Sequence, residues 1–442
     1  MDDKKVRFLS SISDKSIIFA ANYFFMTKDL IKVLIAEYQR FVISVDLIPR
    51  KICFVDNQNY VFVGLRHAGK SYLMYQRIGE LIASGHSQEE ILYFNFEDDR
   101  IDSLEISDLE LIKNCFEEMY DCKPIFFLDE VQKVNGWERF ARRLADQKYQ
   151  VYITGSNAKM LSSEIATTLG GRYMIEEVFP YSFAEYALAN GINLNERNAV
   201  FKYRKEIEKL SEGYFVKGGL PETALMTNNR QWLSSLFNKI FFGDLVARHG
   251  IRNDFAMRVL VRKMAESVKQ PVSYSRMASI VSSAGKKIST DAVIDYVSYM
   301  DESWLILPFE NFVGKLQDKE MNRKYYFVDN GLLALFLIDP EASLLENIVA
   351  INLRHKYGNE CYFFNTPKNE VDFYVPEEQL AIQVSYSISD LETRKREING
   401  LISLAEYQNV EKLMIVTKDD EEVINDAERT IYVVPLWKWL LI

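Results

Sequence analysis

Gly64-Leu-Arg66-His-Ala-Gly69-Lys70-Ser71 joins an apolar run, Tyr60 to Val63, to a helical stretch that begins KSYLMYQ. This segment is a full match to G-x-x-x-x-G-K-[ST]. The glycines let a loop turn its backbone N–H groups, and the N-terminus of the helix after it, toward a polyphosphate. Lys70 then reaches the β- and γ-phosphates, and the Ser71 hydroxyl is offered to a magnesium ion. Gly64, Arg66, Gly69, Lys70 and Ser71 are therefore the candidate ATP-binding set.

Further on, Pro124-Ile-Phe-Phe-Leu-Asp129-Glu130 is an apolar run delivering two carboxylates. Asp129 suits the magnesium shell, and Glu130 the general base that polarises an attacking water in phosphoryl transfer. The run Tyr152-Ile-Thr154-Gly-Ser156-Asn157 ends in polar groups that would lie near the γ-phosphate. Asn157, or Ser156, is either a sensor of that phosphate or a cap on the following helix. Arg172 in Leu169-Gly-Gly-Arg172-Tyr is a candidate arginine finger, acting in cis or from a neighbouring subunit of a homo-oligomer; the alternative is a surface arginine.

Apolar runs separated by helical stretches are what βαβ units produce, so these groups belong at the strand C-termini of a parallel sheet. Chain length requires several domains: 442 residues exceed one core. The reading is an N-terminal helical arm (1–50, ending at Pro49), an α/β P-loop domain (51–180), a helical unit (181–340) and a C-terminal α/β unit (341–442). Apolar residues at 48% and charged residues at 26% describe an ordinary globular chain. No run is apolar and long enough for a membrane span, and no signal peptide is evident, so a cytoplasmic protein is expected. Cys53, Cys115, Cys122 and Cys361 lack CxxC spacing, which suggests neither a disulfide framework nor a zinc site. The net charge of −10 excludes a protein that coats nucleic acid by charge alone.

Taken together, GLRHAGKS, LDEVQKVNGWE, TGSNAKML, LGGRY and PYSFAEY resemble the AAA-superfamily P-loop ATPases of bacteria and archaea that carry a C-terminal domain of unknown function. GGLPE (218–222) and the final αβ segment are similar to later landmarks of that family. The resemblance covers nearly the whole chain. It implies an ATP-binding core, a winged-helix middle and a nuclease-like end, with no known cellular task.

Within the helical unit, residues 248–287 carry nine basic and two acidic side chains, a reversal in an acidic protein. A positive face beside a helix-turn-helix is a candidate DNA footprint. The helix that would read bases, Ser289 to Ser303, has Asp291, Asp295, Asp301 and Glu302 and no Lys or Arg. Winged helices also dock protein partners and act as lids, and a solvated face is the plain alternative.

The last hundred or so residues resemble the PD-(D/E)xK nuclease fold, which implies Glu346, Asp372 and Gln383 as a metal-binding remnant. Ser385 stands where that pattern has lysine, so the favoured reading is an inactive nuclease-like scaffold; Tyr386, Arg394 and Lys395 are the alternative cations or proton donors. The expectation is thus a magnesium-dependent ATPase that drives a conformational switch. The alternatives are a winged-helix DNA-binding regulator with ATP as a slow timer, and a metal-dependent DNA nuclease.

Overall fold

In the computed structural model, the residues described are 27–101, 104–155, 167–314, 322–426 and 429–442. Helix α1 (Lys28–Val42) starts at the Thr27 cap, whose side chain accepts the Leu30 N–H, and stops at Val42, ahead of Pro49. Ile31, Leu34, Ile35, Tyr38 and Val42 recur at helical spacing and form its buried stripe. That stripe lies against β2 (Ile91–Asn95) and α3 (Ile106–Tyr120), so the arm's helix is a layer of the first α/β unit.

The first sheet has five strands in the order β2-β3-β4-β1-β5, with β1 Asn59–Val63, β3 Ile125–Asp129, β4 Val151–Gly155 and β5 Tyr173–Glu177. Every pairing is parallel. Strands β1, β3 and β4 are buried along their full length, as their near-continuous apolar composition requires when helices cover both faces. Helix α2 (Lys70–Ala83) follows the glycine loop, and α4 (Trp137–Asp146) packs on β4.

The next segment is helical: α5 (Phe183–Ala189), α6 (Arg204–Lys217) and α7 (Arg230–Lys239), which runs into a π-helix at Ile240–Ala247. Helices α8 (Asp254–Glu266), α9 (Tyr274–Ser283) and α10 (Thr290–Glu302) follow, with α9 touching both neighbours. An antiparallel pair, β6 (Ile306–Phe309) and β7 (Lys324–Phe327), closes this segment.

The C-terminal unit places α11 (Glu341–Tyr357) and α12 (Leu391–Tyr407) against a six-stranded mixed sheet. Its order is β12-β13-β11-β10-β9-β8, from β8 Tyr362–Asn365, β9 Glu370–Val375, β10 Leu380–Val384, β11 Lys412–Thr417, β12 Glu422–Asp426 and β13 Arg429–Pro435. Among the described residues, no helix is long and apolar enough to cross a membrane.

Candidate functional site

Parallel register brings the C-terminal ends of β1, β3 and β4 to one edge of the first sheet, because Val63 pairs with Gly155 and Leu128 with Ile153. The glycine loop leaves β1 at this edge. Gly64 has φ +150°, and a Cβ there would sit 2.2 Å from the Val178 carbonyl oxygen, so only glycine fits. Gly69, at φ +100°, is the N-cap of α2, whose first N–H groups open onto the loop. Lys70 is buried and donates to the carbonyls of Gly64 (3.1 Å) and Leu65 (3.0 Å), with Glu130 Oε1 at 4.0 Å from its Nζ. Burial pushes the ammonium below its ordinary value, while Glu130 and Asp129 pull it back up.

Asp129 ends β3 and is fully enclosed. Its Oδ1 accepts the Thr154 hydroxyl, and its Oδ2 accepts the Tyr93 hydroxyl at 2.6 Å; the Tyr75 hydroxyl lies 3.1 Å from that of Tyr93. Burial raises this carboxyl above its usual range, and the hydroxyls of Thr154, Tyr93 and Ser71 oppose the rise. A buried carboxylate beside the Ser71 hydroxyl is a hard oxygen set of the kind magnesium takes, so these residues fit that ion. Glu130 adopts the left-handed backbone (φ 56°, ψ 38°), uncommon for a residue with a side chain. Its N–H donates to Thr154 Oγ1 at 2.8 Å, and Gln132 donates to its carboxylate. Thr154, Tyr93 and Tyr75 were not among the expected site residues. For Tyr93 the signal is register, since it pairs with Phe127 and so shares a sheet face with Asp129.

A cavity of about 500 Å³ spans the glycine loop, Asp129 and Glu130. Its far wall comes from the helical segment, with Pro221, Glu222 and Lys239. That segment grips the loop at two points. Asp244, in the π-helix, receives Arg66 at 2.6 and 3.2 Å, and His67 Nδ1 meets Glu222 Oε1 at 2.5 Å. Arg66 also reaches Glu97 at 3.4 Å. Arg50 is a further residue that pattern reading did not single out. It donates to the Ala68 carbonyl (3.0 Å) and the Phe179 carbonyl (2.9 Å), and pairs with Glu185 at 3.1 Å. GGLPE and PYSFAEY thus owe their acidic residues to the loop's support: Glu222 holds His67, and Glu185 holds Arg50. A second cavity of about 410 Å³ lies behind Arg50, against α11.

Several expected site residues are placed differently. Asn157 and Ser156 lie outside the described residues. Arg172 precedes β5, where Tyr173 pairs with Asn59 at the opposite edge of the sheet. Its guanidinium bonds Asp146 at 2.6 Å, and the length of β1, roughly 15 Å at about 3.3 Å per residue, separates it from the loop. The expectation of a finger acting in cis is therefore corrected, because the parallel strand direction points it away. Glu346 and Asp372 do converge, and Gln383 lies beside Asp372. Ser385 does not leave the cluster without a cation, however: Lys324, from β7, supplies one. That correction was invisible in the local pattern because Lys324 is distant in sequence.

Residues 56–187 match the family model described as an AAA domain, and residues 208–342 match a domain of unknown function. The loop, Asp129 and Glu130 all fall within the first match. The uncharacterized protein MJ1544 of Methanocaldococcus jannaschii is 31% identical over 457 residues, covering 99% of this chain and 98% of its own. An uncharacterized protein of Haemophilus influenzae is 29% identical over 394 residues, covering 86% of this chain and 94% of its own. Among solved structures, the Walker-type ATPase PABY2304 of Pyrococcus abyssi superposes with a TM-score of 0.38 at 12% identity, over 63% of this chain and 91% of that one.

Proposed function

Because this chain belongs to the family of the Methanocaldococcus jannaschii protein and carries an AAA domain, we propose that it is a magnesium-dependent ATPase whose hydrolysis drives a conformational switch. The observation that carries this reading is the convergence of Lys70, Ser71, Asp129 and Glu130 on one cavity at the C-terminal edge of a parallel sheet. Lys70 and the N–H groups opening α2 hold the phosphates, and Arg66 adds a cation from the loop tip. Ser71 and Asp129 would hold magnesium, which neutralises charge developing on the phosphate oxygens when bound. Glu130, fixed by the Thr154 bond to its N–H, orients water and takes its proton. The switch reading rests on the Arg66–Asp244 and His67–Glu222 contacts, since phosphates arriving at the loop compete with both carboxylates.

Phosphate release by purified protein tests the proposal. Lys70→Ala should lose ATP binding. Glu130→Gln should bind Mg-ATP yet hydrolyse it at least about 100-fold more slowly. Equal release by wild type and both variants would exclude hydrolysis. In this reading Arg172 serves only a neighbouring copy's nucleotide.

A second reading, a winged-helix DNA-binding module across α8–α10 and β6–β7, is favoured by one observation. Arg252, Arg262, Lys269, Arg276, Lys286 and Lys287 are exposed, whereas Arg248 pairs with Asp244 and Arg258 stacks on Phe241. Duplex binding that weakens steeply with salt supports it, and no binding at low salt removes it.

A further inference from the structure

Two carboxylates of the C-terminal sheet and one of α11 surround an ammonium. Lys324 Nζ lies 2.9 Å from Glu370 Oε1, 3.3 Å from Asp372 Oδ1 and 3.4 Å from Glu346 Oε1, and the side chain is wholly enclosed. A nuclease-like arrangement of these acids implies a divalent cation, and the donor set does not fit one. Gln383 Oε1 accepts the Asp372 N–H and its amide donates to the Glu370 carbonyl, so this side chain is turned to the backbone of β9 and not to the carboxylates. Asp372 Oδ2 takes the Val384 N–H at 2.9 Å, and Glu346 Oε1 takes the Tyr326 hydroxyl at 2.8 Å. Among the described residues, no group of three His, Cys, Asp or Glu side chains is arranged to hold a metal.

We propose that the Lys324 ammonium stands in place of the divalent cation and makes this cluster a metal-free clasp between β7 and the C-terminal sheet. The charges themselves argue for it: Glu346 is 3% exposed, and an ammonium in contact offsets part of the cost of enclosing its carboxylate beside that of Asp372. Phe363 covers the ammonium, with its ring centre 5.5 Å away. A metal ion would have to expel a side chain that has no exposed surface. Just beyond the other end of β7, Asp329 accepts the Gly219 N–H at 2.7 Å and the Leu332 N–H at 3.1 Å. Gly219 leads directly to Pro221 and Glu222 on the wall of the nucleotide cavity. Strand β7 therefore ties that wall to the C-terminal sheet through two buried charged contacts.

The test uses the full, nucleotide-free chain with Mn²⁺ as the probe. Electron paramagnetic resonance should count the same bound Mn²⁺ in wild type and Asp372→Asn. An ion bound by wild type and lost in Asp372→Asn overturns the proposal. Lys324→Met should lower the melting temperature by roughly 5–10 °C, and adding Glu346→Gln should recover much of the loss. A single variant as stable as wild type, or a double variant no more stable than the single, also overturns it. If Lys324→Met alone does not fold, the Mn²⁺ comparison and the recovery by Glu346→Gln still decide the matter.

Discussion

Asp129 meets three hydroxyls, from Ser71 at the start of α2, Thr154 on β4 and Tyr93 on β2. Groups behind a metal ligand fix its orientation, and losing one commonly costs on the order of tenfold in metal affinity. Tyr93→Phe should therefore shift the Mg²⁺ titration of ATP-analogue binding about tenfold higher, with metal-free binding nearly unchanged. An unmoved titration would show that the hydroxyl is only packing. Asp301 makes a different prediction, on α10, where burial raises its carboxyl to about 6 despite the opposing charges of Arg354 and Arg323. The folded value lies above the unfolded one, so the folded state takes up a proton first as pH falls. Asp301→Asn should be more stable than wild type at pH 7.5, by on the order of 1 kcal/mol given its partial exposure, and the two should converge between about pH 6 and pH 4. Urea midpoints across that range check the sign.

Two elements carry more than their own packing. The π-helix at Ile240–Ala247 widens the helical turn at the point where Asp244 meets Arg66 and Arg248. Such widened turns occur often at functional sites. The turn from β1 into the glycine loop is the other. Gly64→Ala would press a methyl group onto the Val178 carbonyl while the backbone keeps φ +150°. A loss of about 3 kcal/mol or more in denaturant unfolding is expected, together with weakened ATP binding. An alanine variant with wild-type stability would mean that the loop can leave this geometry at little cost.

At the scale of the whole molecule, the chain interleaves its units. α1 covers the first sheet, the segment after Pro180 walls the cavity at the glycine loop, and β7 spans from that wall to the C-terminal cluster. Arg172 lies at the sheet's far edge, so an arginine-finger role needs a second copy. Arg172→Ala should then slow hydrolysis by about a thousandfold, and mixing it with Lys70→Ala, inactive alone, should restore part of the activity. If the mixture stays inactive, Arg172 is a structural partner of Asp146.

The octet from Gly64 to Ser71, the pair Asp129–Glu130 and the alternating order of elements through β4 were legible in the sequence, because each is a contiguous pattern whose local geometry enforces the result. Two edge strands were not, unlike the apolar edge strand β2: Tyr173–Glu177 and Glu422–Asp426 are short and acidic with no buried residue, so pairing rather than apolar pattern makes them strands. Nor were Tyr93, Arg50, Asp244 and Lys324, whose partners lie far away along the chain. Long-range register decides which hydroxyl backs Asp129, which carboxylates hold Arg66, and which ammonium sits among Glu346, Glu370 and Asp372. Those choices follow from the packing of buried charges against one another, and only the tertiary structure sets that packing.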